Sequence, residues 1–359
     1  MPQAETLEHR VMLSNSVTDF ARGVDIARAR KLRDTQLECD RAIWKQMADL
    51  GWLGVLVPEE YGGMGLKLAD MAIVAQGLAR ALVPEPLTAT AVMAARVLAD
   101  SGNEALKENL LSGLASGDIL PAVAWQEEAG SLDAANIKAE ATPFEGGYRV
   151  NGTKRFITGA ASADFIQLMA ATDRAKGSRG GISCFLIDMN TPGIKITARF
   201  KTMMGDRPCE IHFDNVRVHK SQMVGGEGDG FKFGQKWLGV GRVHHGARAL
   251  GVAERCLEMA SNYAKQRVTF GQPLSQRQAI QWMLVDSFVE LKAARLMVWE
   301  AACKMDKGED ARNDCYVAKM YADEMAFRVV DRCMQIRSEE HTSELQSHHD
   351  LVCRLLLEK

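Results

Sequence analysis

A chain of 359 residues, 47% hydrophobic and 25% charged, has room for one large domain or two to three smaller ones around sizeable cores. Its formal net charge of -2 gives no electrostatic basis for binding nucleic acid or an anionic membrane, and no apolar run approaches the ~20 residues of a membrane helix. The opening segment MPQAETLEHR is polar and contains acids, so it reads as neither signal nor transit peptide.

In the first third, apolar residues recur at helical spacing around Ile43, Trp44, Met47 and Leu50, and Gly51 follows as a stop. A second helix is expected over 68–81, ending before Pro84-Glu85-Pro86, and a third over 89–114. Between the first two lies VPEEYGGMG, whose glycines imply tight turns or close backbone approach. From Ile119 the texture becomes short strands, at 120–125, 137–142, 148–154, 165–171, 182–187 and 209–216. Gly146-Gly147 and Asn151-Gly152 supply turns, and the lack of intervening helices points to an antiparallel sandwich or barrel. GGEGDGF then reads as turn glycines and not a phosphate cradle, since no strand-to-helix unit surrounds it.

Long helices return after Gly230. One stripe contains Ala249, Val252, Ala253, Cys256, Ala260 and Tyr263. A second contains Ile280, Leu284, Phe288, Leu291 and Val298, and a third Ala318, Tyr321, Ala322, Met325 and Val329. Long helices joined by short loops read as a bundle. The fold class is therefore α+β and multidomain: a helical domain over 1–118, a middle antiparallel β-sandwich or barrel over 119–230, and an incomplete helix bundle over 231–336.

The remainder, 337–359, breaks this pattern. It is polar, carries three of the eight histidines and shows no helical stripe. Read back into codons, RSEEHTSELQS and DLVCRLLL match the two constant parts of a common short-read sequencing adapter. The expectation is a foreign tail that replaces the true C-terminal segment, so its histidines are not read as a metal site. Eight cysteines occur singly, without metal-ligand spacing, and imply reduced thiols in a cytoplasmic setting.

Six segments, in order over about residues 10 to 336, resemble the acyl-CoA dehydrogenase family. They are MADLGWLGVLVPEEYGGMGL, VNGTKRFITGAASADFIQLMA, TPGIKI, FDNVRVHKSQMVGGEGDGF, GRVHHGARALGVAERCLEMASNYAKQRVTFGQPLSQRQAI and YVAKMYADEMAFRVVDRCMQI. The resemblance implies FAD as cofactor, an acyl-CoA thioester as substrate, an electron-transferring flavoprotein as acceptor, and a homo-oligomer.

Within KRFIT, an aromatic can pack on a flavin ring, and a hydroxyl two positions along a strand can reach the ring edge from the same face. The resemblance places Phe156 beside the isoalloxazine and Thr158 near flavin N5. It gives Arg267 of RVTFG to the flavin pyrophosphate of a neighbouring subunit, Phe270 to the adenine or flavin, and Gln278 to the dinucleotide region. A charge-assisted bond to phosphate plus a stacking surface is the physical logic. In AVAWQEEAGSLD, Ser131 is positioned to donate to a flavin phosphate, although Trp125-Gln126-Glu127 departs from the usual Thr-Glu-Pro. Arg242 matches an arginine at the substrate end of the first bundle helix.

The implied reaction removes the α-proton of the thioester to a carboxylate while the β-hydrogen leaves as hydride. In most members that base lies past the third bundle helix, beyond Ile336 here. In a minority it precedes the arginine matching Arg242, where this chain has Gly241. Glu254 and Glu258, one turn apart, read as a solvated face. The chain as given is therefore expected to lack a base, to bind FAD poorly and to lack turnover, with the stripe of Ala318, Tyr321, Met325 and Val329 left partly uncovered. Two further readings remain open, an oxygen-using relative on the same fold and a non-catalytic partner subunit.

Overall fold

The computed structural model describes residues 2–25, 27–35, 39–88, 98, 101–127, 136–202 and 207–338. Its helices are α1 (Pro2–Gly23), α2 (Ala27–Thr35), α3 (Arg41–Asp49), α4 (Leu68–Arg80), α5 (Glu104–Ala115), α6 (Gly230–Gln266), α7 (Gln278–Asp306) and α8 (Arg312–Arg337). Its strands are β1 (Pro121–Ala124), β2 (Glu140–Phe144), β3 (Gly147–Ile157), β4 (Phe165–Ala171), β5 (Ile182–Asp188), β6 (Ile194–Arg199), β7 (Cys209–His219), β8 (Met223–Val224), β9 (Val268–Thr269) and β10 (Gln272–Pro273). The chain divides into two compact units that interleave in sequence, one of 31–66 and 84–241, the other of 1–30, 67–83 and 242–359.

The first unit is built on an eight-stranded sheet of order β6-β7-β3-β2-β4-β5-β8, with β1 alongside β4. Most pairs are antiparallel, as the short strands and glycine turns require, but β1 and β2 both run parallel to β4. Alternation along β4 sends Ile166, Leu168 and Ala170 into a core with Val150, Phe185, Ile211 and Phe213. Met169 faces the other way, into a second core with Leu110, Leu111 and Leu114 of α5 and Phe233 and Trp237 of α6. Burial on both faces explains why β4 and β5 read as continuous apolar runs.

Helix α3 starts where Asp40 accepts a hydrogen bond from the Ala42 amide and buries Trp44, Met47 and Ala48. The helix expected over 89–114 differs in two ways. Residues 89–97 and 99–100 lie outside the described residues, and α5 begins afresh after Gly102, which adopts φ 70. The Asn103 side chain accepts from the Leu106 amide and caps the new helix. Strand β6 gave no sequence signal because it is a sheet edge, exposed or half-exposed along its length.

The second unit is helical. The buried Asp70 of α4 accepts hydrogen bonds from Arg10 Nε (2.7 Å) of α1 and from the Lys67 amide, and pairs with His9 Nε2. Asp306, at the end of α7, accepts from the amides of Leu68 and Ala69 and so occupies the positive end of α4. Against α6, a Cβ at Gly251 would strike the Gln76 carbonyl oxygen, so the two helices meet almost backbone to backbone.

Glu254 is half-exposed and Glu258 exposed, and both carry ion pairs there: Glu254 binds Gln76, Arg80 and Arg295, and Glu258 binds Arg80 and Arg255. Two expectations change here. Most of the stripe of α8 is covered, with Ala318, Ala322, Met325 and Val329 fully buried where small side chains admit Gly246 of α6 and Val298 of α7, while Tyr321 stays half-exposed. The inward face of α7 is Ser287, Leu291, Ala294, Val298, Ala301 and Ala302, which leaves Phe288 57% exposed. No helix among the described residues is long and apolar enough to cross a membrane.

Candidate functional site

The candidate residues fall into two groups, one in each unit. In the sheet unit the group stands at the end of β3. From Val150, alternate residues of this strand turn inward, and Lys154 follows that phase with no exposed surface. Its Nζ donates to Glu127 Oε1 (2.7 Å) and to the Trp125 carbonyl (3.1 Å). Glu127 also accepts from the amides of Lys138 and Ala139. The carboxylate thus satisfies the buried cation and three separate stretches of chain converge on it. Burial pushes the Lys154 ammonium down to about 8, against the opposing pull of Glu127.

Immediately after Lys154 the pairing with β7 slips. Lys154 lies opposite Ile211 and Ile157 opposite Cys209, so β3 carries one extra residue across this step. This is a β-bulge, and Phe156 inside it adopts φ 56, a left-handed conformation costly for a bulky side chain. The bulge changes which residue continues the inward phase. Ile157 is buried, whereas Phe156 turns outward and is 49% exposed. Its ring packs on Phe200 at 4.8 Å, with the Arg155 guanidinium near both rings and bonded to Glu210 (2.9 Å).

Thr158 lies in the turn beyond β3, not on the strand. Exposed Phe156, buried Ile157 and half-buried Thr158 nevertheless keep the alternating burial that a shared face requires. The two still stand together, and the half-buried Thr158 hydroxyl has no hydrogen-bond partner among the described residues. Ser131 lies outside the described residues. Trp125 packs between Phe231 (6.2 Å) and Trp237 (5.8 Å), and a Cβ at Gly234 would collide with its indole. The glycine run is a turn, as read: Gly225 and Gly228 have φ 76 and 89, and the Gly228 amide donates to Ser183 Oγ.

In the helical unit, Arg267, Phe270 and Gln278 gather around the β9–β10 hairpin. The Arg267 carbonyl accepts from the Leu274 amide and closes the hairpin, while its side chain is exposed and has no ion-pair partner among the described residues. Phe270, at the tip, adopts φ 50 and is 98% exposed. Arg277 braces it, donating to the Thr269 carbonyl (2.6 Å) and lying 5.6 Å from the Phe270 ring. Gln278 is the exposed first residue of α7. Arg242 is far from this hairpin on α6, roughly 36 Å from its last residue at 1.5 Å per residue. Its guanidinium stacks 4.5 Å from the Tyr316 ring. Gly241, beside it, is buried.

Sequence reasoning missed Lys154, Glu127, Arg155 and Arg277. A signal existed for the first: a lysine in the inward phase of an alternating strand demands a buried partner. None existed for Glu127, whose role depends on chain folding back from eleven residues away at Lys138.

Family models for the N-terminal, middle and C-terminal domains of acyl-CoA dehydrogenase match residues 7–118, 122–216 and 228–353. An acyl-CoA dehydrogenase of Bacillus subtilis is 34% identical over 333 residues, covering 92% of this chain and 87% of the relative. The chain belongs to the acyl-CoA dehydrogenase family. Among solved structures of the family's fold, butyryl-CoA dehydrogenase from Megasphaera elsdenii superposes with a TM-score of 0.88 at 32% identity, covering 97% of this chain and 93% of that one. A structure described as the FAD complex of PigA superposes with a TM-score of 0.87 at 27% identity, covering 97% and 92%. The N-terminal helices, middle β-structure and C-terminal helices are those of this family.

Proposed function

We propose that the reaction of this protein is FAD-dependent desaturation of an acyl-CoA thioester at its α and β carbons, with an electron-transferring flavoprotein as the acceptor and with the base that takes the α-proton lying outside the described residues. The observation that carries this reading is the outward Phe156 beside the unpartnered Thr158 hydroxyl, at the two positions that the family resemblance assigns to the flavin ring. The second group fits the other half of the cofactor: Arg267 offers an unpaired cation for a phosphate, Phe270 a bare stacking face, and Gln278 an exposed amide. One solved relative is described as an FAD complex.

When bound, FAD would supply the acceptor for the hydride. In this chain, Phe156 would bear on the ring face and Thr158 would donate its hydroxyl proton in a hydrogen bond to the ring edge. Arg267 would neutralise phosphate charge, in the family's manner across a dimer of this chain. Arg242, held over Tyr316, is the candidate for contact with the substrate. No described residue is assigned the removal of the α-proton. Gly241 has no side chain, and Glu254, Glu258 and Glu290 are committed to arginines on neighbouring helices.

The test is direct. Purified protein is titrated with FAD, its visible absorption recorded, and acyl-CoAs of increasing length added without oxygen. A flavin band that bleaches with one chain length supports the full reading, and failure to retain FAD overturns it. A bound flavin that no thioester bleaches favours the second reading, a non-catalytic subunit paired with an active homologue, which the side-chain-free Gly241 also supports.

A further inference from the structure

The bulge at Phe156 costs free energy, and something must hold it. A bulky residue in a left-handed conformation is strained and persists only where its surroundings over-determine it. On the C-terminal side the anchor is ordinary: Ile157 is buried and Gly159 adopts φ 77. On the N-terminal side it is unusual. Lys154 is an ammonium with no exposed surface, clamped to Glu127 and to the Trp125 carbonyl. The next residue, Arg155, donates its amide to the Gln126 carbonyl (2.8 Å). Residues 154–155 and 125–127 are therefore locked together through three bonds, two of them from a side chain that an apolar core would not otherwise admit.

A hydrophobic residue at position 154 would serve burial at least as well as an ion pair. What it could not do is reach across to two acceptors on a separate segment and fix where β3 ends its regular pairing. Just past this lock, the strand adds its extra residue and Phe156 leaves the inward phase.

We propose that the Lys154–Glu127 ion pair is a positioning device that keeps the Phe156 ring turned outward as the surface for the flavin ring, an inference that rests on the flavin reading above. Lys154 and Glu127 are positioning residues: they act through Phe156 and the bulge. Without the pair, β3 is free to continue its alternation, and Phe156 follows Lys154 into the inward phase.

The experiment uses the full chain with p-fluorophenylalanine incorporated in place of Phe156, read by fluorine NMR with and without FAD. Removing only one partner strands a buried charge and risks unfolding, so the main variant is the double substitution Lys154→Met with Glu127→Gln, which leaves none. A second label in place of the buried Phe213 reports on the general integrity of the sheet.

The expected result is a displaced or split resonance at position 156 in the double variant, an unchanged one at 213, and FAD binding weakened at least tenfold. An unmoved resonance at 156 overturns the proposal whatever happens to FAD. So does a resonance that moves while FAD affinity and the flavin absorption band stay as in the parent. If the parent itself binds no FAD, the flavin reading falls with the flavin half of this proposal, and the fluorine spectrum still decides whether the pair sets the ring.

Discussion

Phe156 and Phe270 share an uncommon backbone, with φ of 56 and 50, yet they are held in opposite ways. Phe156 sits on a bulge whose upstream anchor is a fully buried ion pair and whose downstream neighbour is core. Phe270 sits at the tip of a two-residue-strand hairpin, with Arg277 and a single carbonyl bond as its braces. The first aromatic is aimed by the interior of the protein; the second is presented by a loop with little behind it. Orientation that is fixed from within carries a stability cost if disturbed, whereas orientation at a tip can be altered almost freely.

The sharpest way to break this contrast is Lys154→Met alone. It leaves the Glu127 carboxylate buried without its cation, and we expect a loss of about 3–5 kcal/mol in chemical denaturation. Next comes pH. Because the folded Lys154 titrates near 8 and an unfolded lysine near 10.5, the folded state releases this proton first. Its contribution to stability is complete above about 10.5 and is lost as pH falls through 8. The parent should thus gain stability relative to the double variant between those limits. A flat difference across pH 8 to 10.5 would show that the ammonium is not buried as described.

Gly234→Ala sharpens the comparison from the other side of Trp125. A methyl group there meets the indole, and the overpacking should cost about 1–3 kcal/mol by thermal melting. The smallest effect belongs to Phe270→Ala. With the ring 98% exposed, stability should change by less than about 0.5 kcal/mol. FAD affinity, measured by fluorescence quenching, should nevertheless fall several-fold. A large loss of stability in this variant would erase the distinction between the two aromatics.

Much of the architecture was legible in the sequence. The apolar period of α4, the asparagine and glycine turns around β3 and the break at Gly230 are local signals, and each stands where its local chemistry requires. What escaped depends on partners elsewhere. The direction of Phe156 is set by a slip against β7, visible only when Lys154 is paired with Ile211 and Ile157 with Cys209. Strand β6 lacks alternation because no core lies against it. The period of α7 was found, but its inward face was misjudged: alanines and a serine face the neighbouring helices, and large residues such as Trp282 and Phe288 do not. Close helix approach rewards small side chains, which a hydrophobic stripe under-weights. Glu254 and Glu258 were legible as a pair but not as partners of Arg80, 178 positions back along the chain for Glu258.

That last separation has a consequence for how the polypeptide is made. Helix α4 is synthesised early, beside its partner α1, yet it also meets Gly251 at close range and its first amides are held by Asp306. On the ribosome the part of α4 that α1 does not cover must wait while the whole sheet-bearing stretch emerges. A stalled or shortened nascent chain that ends before α6 would carry α4 as an adhesive segment, a natural target for chaperones during translation.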